Sequence, residues 1–239
     1  MPKYWRIPAC PACLQSSAPN PSALGLRGGK REEGKGAGYL RFERAQQVLT
    51  DRKPGKLTPA FILDFLARDT GHIWLHSPTL ADLEGLSGKA PRLIMSRHTI
   101  DRGDTAAAVV IQGGFARRPA TFWVALGEPV CTVAVPLWAE AGEVPAALHD
   151  GEKAALNLES RRLSRRLHPY SEKDKVDYMD LAPLHNREGT GYWPVIRNAE
   201  REIREETERF LKVKHTPEEL REFQERMAAG ALAALQSIK

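Results

Sequence analysis

The chain has 239 residues, 42% hydrophobic and 27% charged, a composition typical of a globular protein with a sizeable core. Its 35 basic and 30 acidic residues leave a formal charge of +5, too small an excess to predict nucleic-acid binding. No apolar run reaches the roughly 18 residues of a membrane span, and the first residues lack a signal-peptide pattern, so we expect a cytoplasmic protein without membrane contact.

The N-terminal part of the chain separates into an arm and the start of a domain. Residues 1–38 are rich in Pro, Gly and Ser without a sustained period, which is typical of a flexible arm, whereas 39–239 are predicted to form one α+β domain. Thr58 followed by Pro59 predicts a helix start, because threonine caps the free amides and proline has none to lose. The apolar residues expected to be buried in the first two helices are Phe42, Ala45, Val48, Leu49, Phe61, Ile62, Phe65 and Leu66.

Three consecutive strands are predicted in the middle of the chain, within residues 105–137. Their expected bounds are Thr105–Gln112, Thr121–Leu126 and Val130–Leu137. The third is uncharged on both faces, a pattern typical of a strand covered above and below. The predicted fold is therefore α+β, an antiparallel sheet of at least three strands packed with helices.

Three helices are predicted to end the domain. The first two are expected at Glu152–Leu167 and Val195–Val213, and Thr216, Pro217 and Glu219 form a capping-box pattern for the third. In the second, the pairs Glu200–Arg204, Arg201–Glu205, Glu205–Arg209 and Glu208–Lys212 would each contribute about 0.2–0.5 kcal/mol. Burying Phe210 alone would contribute about 1.5–3 kcal/mol, so packing should hold this helix. The apolar residues expected to be buried in the three helices are Leu156, Leu163, Leu167, Ile196, Ala199, Ile203, Phe210, Leu220, Phe223, Met227, Ala231, Leu235 and Ile238.

The cysteines give no complete metal site. Cys10 and Cys13 form a CxxC, which can bind zinc or act as a redox pair, but a structural zinc ion needs two further ligands. His72 and His76 are four residues apart, yet the connection would be far longer than in compact zinc modules. We therefore predict solvated thiols in a reducing compartment, no metal and no cofactor.

Two basic segments are better interpreted as structural features than as binding sites. The run RRLSRRLH places Arg161, Arg162, Arg165 and Arg166 on one helix face, which could bind phosphates but has no aromatic platform, so a solvated face is favoured. The glycine-rich segment 25–38 departs from nucleotide-binding motifs and is interpreted as a loop.

The segment that leads toward the strands carries the residues best suited to chemistry. Arg97 can bind a carboxylate through two hydrogen bonds, and His98 can transfer protons; with Thr99 they form a candidate substrate-binding corner. The alternative is that they cap strand ends by binding backbone carbonyls.

Three phrases in the middle of the chain point to a family. GAGYLRFERAQQVL, SRHTIDRGDTAAAVVIQGG and TFWVALGEPVCTVAVPLWAEAGEVP resemble, in that order, the later part of linear amide C–N hydrolases related to isopenicillin N acyltransferase, in the N-terminal-nucleophile hydrolase superfamily. The resemblance implies a four-layer αββα sandwich, a self-exposed N-terminal cysteine nucleophile, and a cleft for a small amide or acyl substrate that residues Arg97, His98 and Thr99 would face.

The resemblance begins near Ala37, and the N-terminal arm does not match it. We therefore expect the C-terminal portion of such a hydrolase or acyltransferase, partial or degenerate and inactive alone, with an N-terminal partner chain possible. Two alternatives stay open. The first is a binding or homo-oligomeric assembly module that uses the sheet edge and the charged helices. The second, weaker, is anion or nucleic-acid binding through Arg161–Arg166.

Overall fold

The computed structural model describes residues 37–50, 56–72, 93–115, 118–149, 153–169, 178–185 and 191–239. These form an α+β structure in which antiparallel sheets pack with helices, as predicted. The helices are α1 (Ala37–Thr50), α2 (Pro59–Phe61), α3 (Ala155–Leu167), α4 (Tyr192–Phe210) and α5 (Pro217–Ser237). The strands are β1 (Leu93–Met95), β2 (Ala107–Gln112), β3 (Thr121–Leu126), β4 (Val135–Leu137) and β5 (Tyr178–Asp180). None of the described helices is both long and apolar enough to cross a membrane.

The predicted helix starts at Thr58 and Thr216 are confirmed. The Thr58 hydroxyl accepts a hydrogen bond from the Phe61 N–H at 3.1 Å, and Thr216 forms a reciprocal capping box with Glu219. Helix α2 continues as a π-helix over Ile62–Ala67, and this widened turn shifts the buried face. Leu63 is therefore buried, and the prediction of a buried Phe65 is wrong: it is 47% exposed.

The three-stranded sheet has the order β2-β3-β4, with all neighbours antiparallel. Thr121–Leu126 is confirmed with its predicted bounds, and the preceding strand begins two residues later than predicted, at Ala107. The prediction of a strand over Val130–Leu137 is wrong for its first half. Pro129–Cys131 forms a 3₁₀ turn, and only Val135–Leu137 pairs with β3, because distant side chains take the backbone hydrogen bonds of this segment. Strands β1 and β5 form a separate two-stranded sheet that the sequence did not predict.

The two faces of the three-stranded sheet differ in burial. The inner face carries Thr121, Trp123 and Ala125, all buried, and helices α3, α4 and α5 contact β3 or β4. The outer face opens toward β2, where Val109 is 53% and Ile111 is 64% exposed. The expectation of an interior sheet covered on both faces therefore holds near β4 but not at β2. We call the outer-face residues of β2 and β3 the outer patch: Ala107, Val109, Ile111, Phe122, Val124 and Leu126.

Helix α5 carries the predicted buried stripe, which is confirmed from Leu220 to Ile238. Phe210 of α4 and Phe223 of α5 stack with ring centroids 4.0 Å apart, and Trp138, just after β4, packs against both, 6.0 and 5.8 Å away. Its indole N–H donates to the Thr121 hydroxyl at 3.0 Å. These aromatic contacts join the last two helices to the inner face of the sheet.

Candidate functional site

A buried ion pair lies at the centre of the described residues. The guanidinium of Arg68, just after the π-helix, binds both carboxylate oxygens of Glu200 on α4, with Nη1 at 2.8 Å from Oε2. Both side chains are at most 1% exposed. Burial disfavours the charge on Arg68, but Glu200 outweighs this and raises the pKa of the guanidinium. Arg68 is therefore charged despite its burial.

The same pair supplies hydrogen bonds to the backbone between the 3₁₀ turn and β4. Arg68 donates from Nε to the Pro129 carbonyl at 2.7 Å and from Nη2 to the Thr132 carbonyl at 3.0 Å. The Ala134 N–H donates to Glu200 Oε1 at 2.6 Å. Buried backbone groups need partners, and here two charged side chains take the place of a neighbouring strand.

A second buried polar group lies next to this ion pair. We call it the acid cluster: Asp101, Glu128, Cys131 and His168. Glu128 is turned inward by Gly127, whose φ of 99° lies in the left-handed region and whose added Cβ would lie 2.2 Å from Ser160 Oγ. Pro129 then begins the 3₁₀ turn that brings the Cys131 thiol to 3.7 Å from Glu128 Oε2.

His168, the C-cap residue that follows α3, binds Glu128 directly. Its Nε2 lies 2.7 Å from Glu128 Oε1, and its Nδ1 lies 3.2 Å from the Tyr178 carbonyl oxygen. A carbonyl only accepts hydrogen bonds, so Nδ1 carries a proton. The Nε2–Oε1 contact is a second hydrogen bond, so the imidazole bridges the Glu128 carboxyl and the Tyr178 backbone.

Asp101 is fully buried, and its surroundings favour the protonated form of its carboxyl. Burial raises the pKa of its carboxyl well above the ordinary value, and the neighbouring Glu128 raises it further. Neither oxygen has a hydrogen bond of ordinary geometry to a described residue, although Glu128 and the Val130 N–H are near enough to affect its ionisation.

Cys131 is the only cysteine among the described residues, and it is fully buried. Burial, reinforced by Glu128, raises the pKa of its thiol well above the ordinary value. The nucleophile in cysteine chemistry is the thiolate, so Cys131 lacks both the ionisation and the access that an acyl-accepting cysteine needs.

We expect Cys131 to resist acylation in the folded protein. In a variant with Cys10→Ser and Cys13→Ser, a thiol-acylating probe should react orders of magnitude more slowly than after unfolding in guanidinium chloride, because reaction requires local opening. Mass spectrometry of the intact protein measures both rates. Rapid stoichiometric labelling of the folded variant would contradict this prediction.

The predicted substrate-binding corner lies in a 3₁₀ turn, Ser96–His98, directly after β1 and against α1. Arg97 is exposed, and its carbonyl accepts from Arg41 Nη1 at 3.0 Å. His98 Nδ1 lies 3.3 Å from His72 Nε2, and burial lowers the pKa of both imidazoles. The Thr99 hydroxyl is buried, 2.8 Å from the Ser96 carbonyl oxygen and 2.5 Å from that of Asp101.

This corner is connected to the acid cluster through the backbone. One residue separates Thr99 from Asp101. The Asp101 N–H donates to the carbonyl of Asp69, the residue after Arg68, at 3.1 Å. Further along, the backbone at Gly103 passes close over the imidazole of His168. A Cβ added to Gly103 would lie 2.8 Å from the Nε2 atom of that ring. Thr99 is therefore buried and hydrogen-bonded to the backbone of Asp101, whereas Arg97 and His98 lie toward the surface.

The other sequence candidates do not join this site. Of the basic helix face, Arg162 donates to the Leu235 and Ile238 carbonyls at 3.0 and 2.9 Å, so it binds the end of α5. Cys10, Cys13 and His76 lie outside the described residues. Within the ranges that the structure describes, no three His, Cys, Asp or Glu side chains are grouped so as to hold a metal ion.

Comparison with known proteins adds no family. No family model, curated protein or solved structure matches this chain.

Proposed function

We propose that this chain is an assembly module, a partial amide C–N hydrolase/acyltransferase-like layer that associates with a second copy of itself through the outer patch. The observation that supports this is the outward exposure of Val109 and Ile111 on a sheet whose other face is covered by helices. Exposed contiguous apolar surface is a common mark of protein–protein interaction sites.

The chemistry of the outer patch fits a copy of itself. All six of its residues are uncharged, so two patches can meet about a two-fold axis without burying an unpaired charge. The patch offers on the order of a few hundred Å² per copy, less than the ~800 Å² per partner of a standard interface. We therefore expect weak, concentration-dependent association.

The layered arrangement of sheet and helices supports the amide-hydrolase part of the proposal. A sheet with helices on one face and open apolar surface on the other has the form of half of an αββα sandwich, the architecture that the family resemblance implies. Cys131 is unsuited to act as the nucleophile, and the acid cluster is buried beneath the loop at Gly103. The proposed role is therefore assembly, and the purified chain should not hydrolyse N-acyl p-nitroanilides.

Ile111→Lys tests the association. The wild type should show a mass that rises toward a dimer in light scattering over roughly 10 to 500 µM, the range suited to a small interface. The Ile111→Lys variant should remain monomeric, because a dimer would bury its charge. Leu158→Lys changes another exposed aliphatic residue, on α3 and outside the outer patch, and should associate like the wild type.

Two results would overturn the association. One is a wild type that is monomeric across the range, and the other is equal association of the Ile111→Lys and wild-type proteins. Circular dichroism melting of each variant establishes that a lost interface is not a lost fold.

A further inference from the structure

A cavity of about 630 Å³ opens on the inner face of the three-stranded sheet, opposite the outer patch. It lies where Gln112 and Trp123 meet the start of α2 and the last turns of α4. Trp123, Pro59 and Ala60 give it apolar walls. Its size falls within the range of small-molecule sites, about 300–1,000 Å³.

Two buried polar atoms belonging to lining residues have no hydrogen-bond partner in the part of the chain that the structure describes. They are the indole N–H of Trp123 and the side-chain oxygen Oε1 of Gln112. Trp123 is only 2% exposed. Gln112 pairs with Thr121, which puts it diagonally next to Trp123 on the same face, about 7–8 Å away. One is a donor and the other an acceptor, so a ligand amide or hydroxyl group is the chemical complement of both.

The rim of the cavity carries two cations without a carboxylate partner. Arg209 and Lys212 form no ion pair within 4.0 Å with any residue that the structure describes. Glu208, which the sequence would pair with Lys212, instead binds Arg118, with Nη1 at 2.9 Å from Oε2. Glu205 also lines the rim, so the unpaired charges there sum to one positive.

We infer that this cavity binds a small amphipathic carboxylate, with its apolar body against Trp123 and its carboxylate at Arg209 and Lys212. An amide or hydroxyl between the two ends would satisfy Trp123 and Gln112. This inference concerns the helix-covered face, so it is independent of the association proposed for the outer patch.

N-Benzoylglycine is a suitable probe, because it joins an aryl ring, an amide and a carboxylate. Isothermal titration should give saturable one-to-one binding to the wild type, and N-benzoylglycine methyl ester should bind about tenfold more weakly for want of the charge. Arg209→Gln/Lys212→Gln should weaken binding of the acid by about three- to tenfold and leave the ester unchanged. Lys214→Gln, an exposed cation outside the cavity, is the matched control and should bind like the wild type.

A nitrogen–proton correlation spectrum locates the ligand. The indole resonance of Trp123, assigned by its loss in Trp123→Phe, should shift on titration with N-benzoylglycine, and Ala60→Trp should abolish binding by filling the cavity. Absence of saturable binding up to about 10 mM, a free energy near −2.7 kcal/mol, would overturn the inference. So would equal affinities for acid and ester, or an equal loss in Lys214→Gln.

Discussion

Replacing Glu200 by leucine is expected to lower the free energy of unfolding by about 3–5 kcal/mol. The substitution leaves the guanidinium of Arg68 buried without its buried carboxylate partner; the partly exposed Asp64 at 3.2 Å and the Pro129 and Thr132 carbonyls remain. It also removes the acceptor of the Ala134 N–H. Urea unfolding followed by circular dichroism measures the change. Glu202→Leu, on an exposed position of the same helix, should change stability by less than about 0.5 kcal/mol.

A double-mutant cycle separates the ion pair from the backbone contacts. Arg68→Met/Glu200→Leu should be less destabilised than the sum of the two single changes, because neither charge is then left unpaired. It should not return to wild-type stability, since the Pro129 and Thr132 carbonyls and the Ala134 N–H still lack partners. Additive single effects, or a Glu200→Leu effect no larger than that of Glu202→Leu, would show that the pair is not important for stability.

The second large effect is expected from Asp101→Asn and depends on pH. The pKa of Asp101 is raised in the folded protein, so the folded state holds this proton above about pH 3.9, where the unfolded chain releases it. The stabilisation linked to this proton is fully present below about pH 3.9, and it is lost as the pH rises toward the raised pKa of Asp101. The asparagine side chain of the variant is neutral at every pH, so the variant should gain stability relative to wild type by up to about 1.4 kcal/mol per pH unit across this window.

The measurement is the difference in unfolding free energy between variant and wild type from about pH 4.5 to about pH 6.5. At the full slope the difference grows by about 2.7 kcal/mol over this range. Burial also raises the pKa of Asp64, and both proteins retain that group, so the difference isolates Asp101. Asp104→Asn, whose carboxyl is 71% exposed, should give a flat difference. A flat difference for Asp101→Asn would mean that this acid is ionised when folded.

The elements that the sequence predicted are those set by local signals. Thr58 and Thr216 precede proline, and a cap depends only on residues within one turn, so both helix starts are confirmed. The α5 stripe is continuous and long, so its buried face could be identified by period alone. The β2–β3 hairpin follows from β-branched runs on either side of a glycine-containing turn.

What the sequence did not predict depends on distant partners. Glu200 was expected only to pair with Arg204, and its place on the buried face of α4 with Ile196, Ile203 and Thr207 was not predicted. Its contact with Arg204 does form, at 3.1 Å, but the other three predicted pairs are absent among the described residues. The spacing of Glu200 from the two isoleucines was an available signal for a buried charge.

The acid cluster had no comparable signal. Asp101, Glu128 and His168 are separated by tens of residues, and their contact depends on a left-handed Gly127 and on the end of α3. The corner of Arg97, His98 and Thr99 was found by residue type alone. Its role in substrate binding stays a prediction.

The segment 129–134 has a consequence for how the chain reaches its final structure. Its backbone partners, Arg68 and Glu200, lie more than sixty residues away in the sequence on either side, so no local turn or hairpin can order it early. Docking of the π-helix and of α4 must be completed together for this stretch to become fixed. The domain is therefore expected to fold late and cooperatively at its centre, while the hairpin at its margin is free to form first.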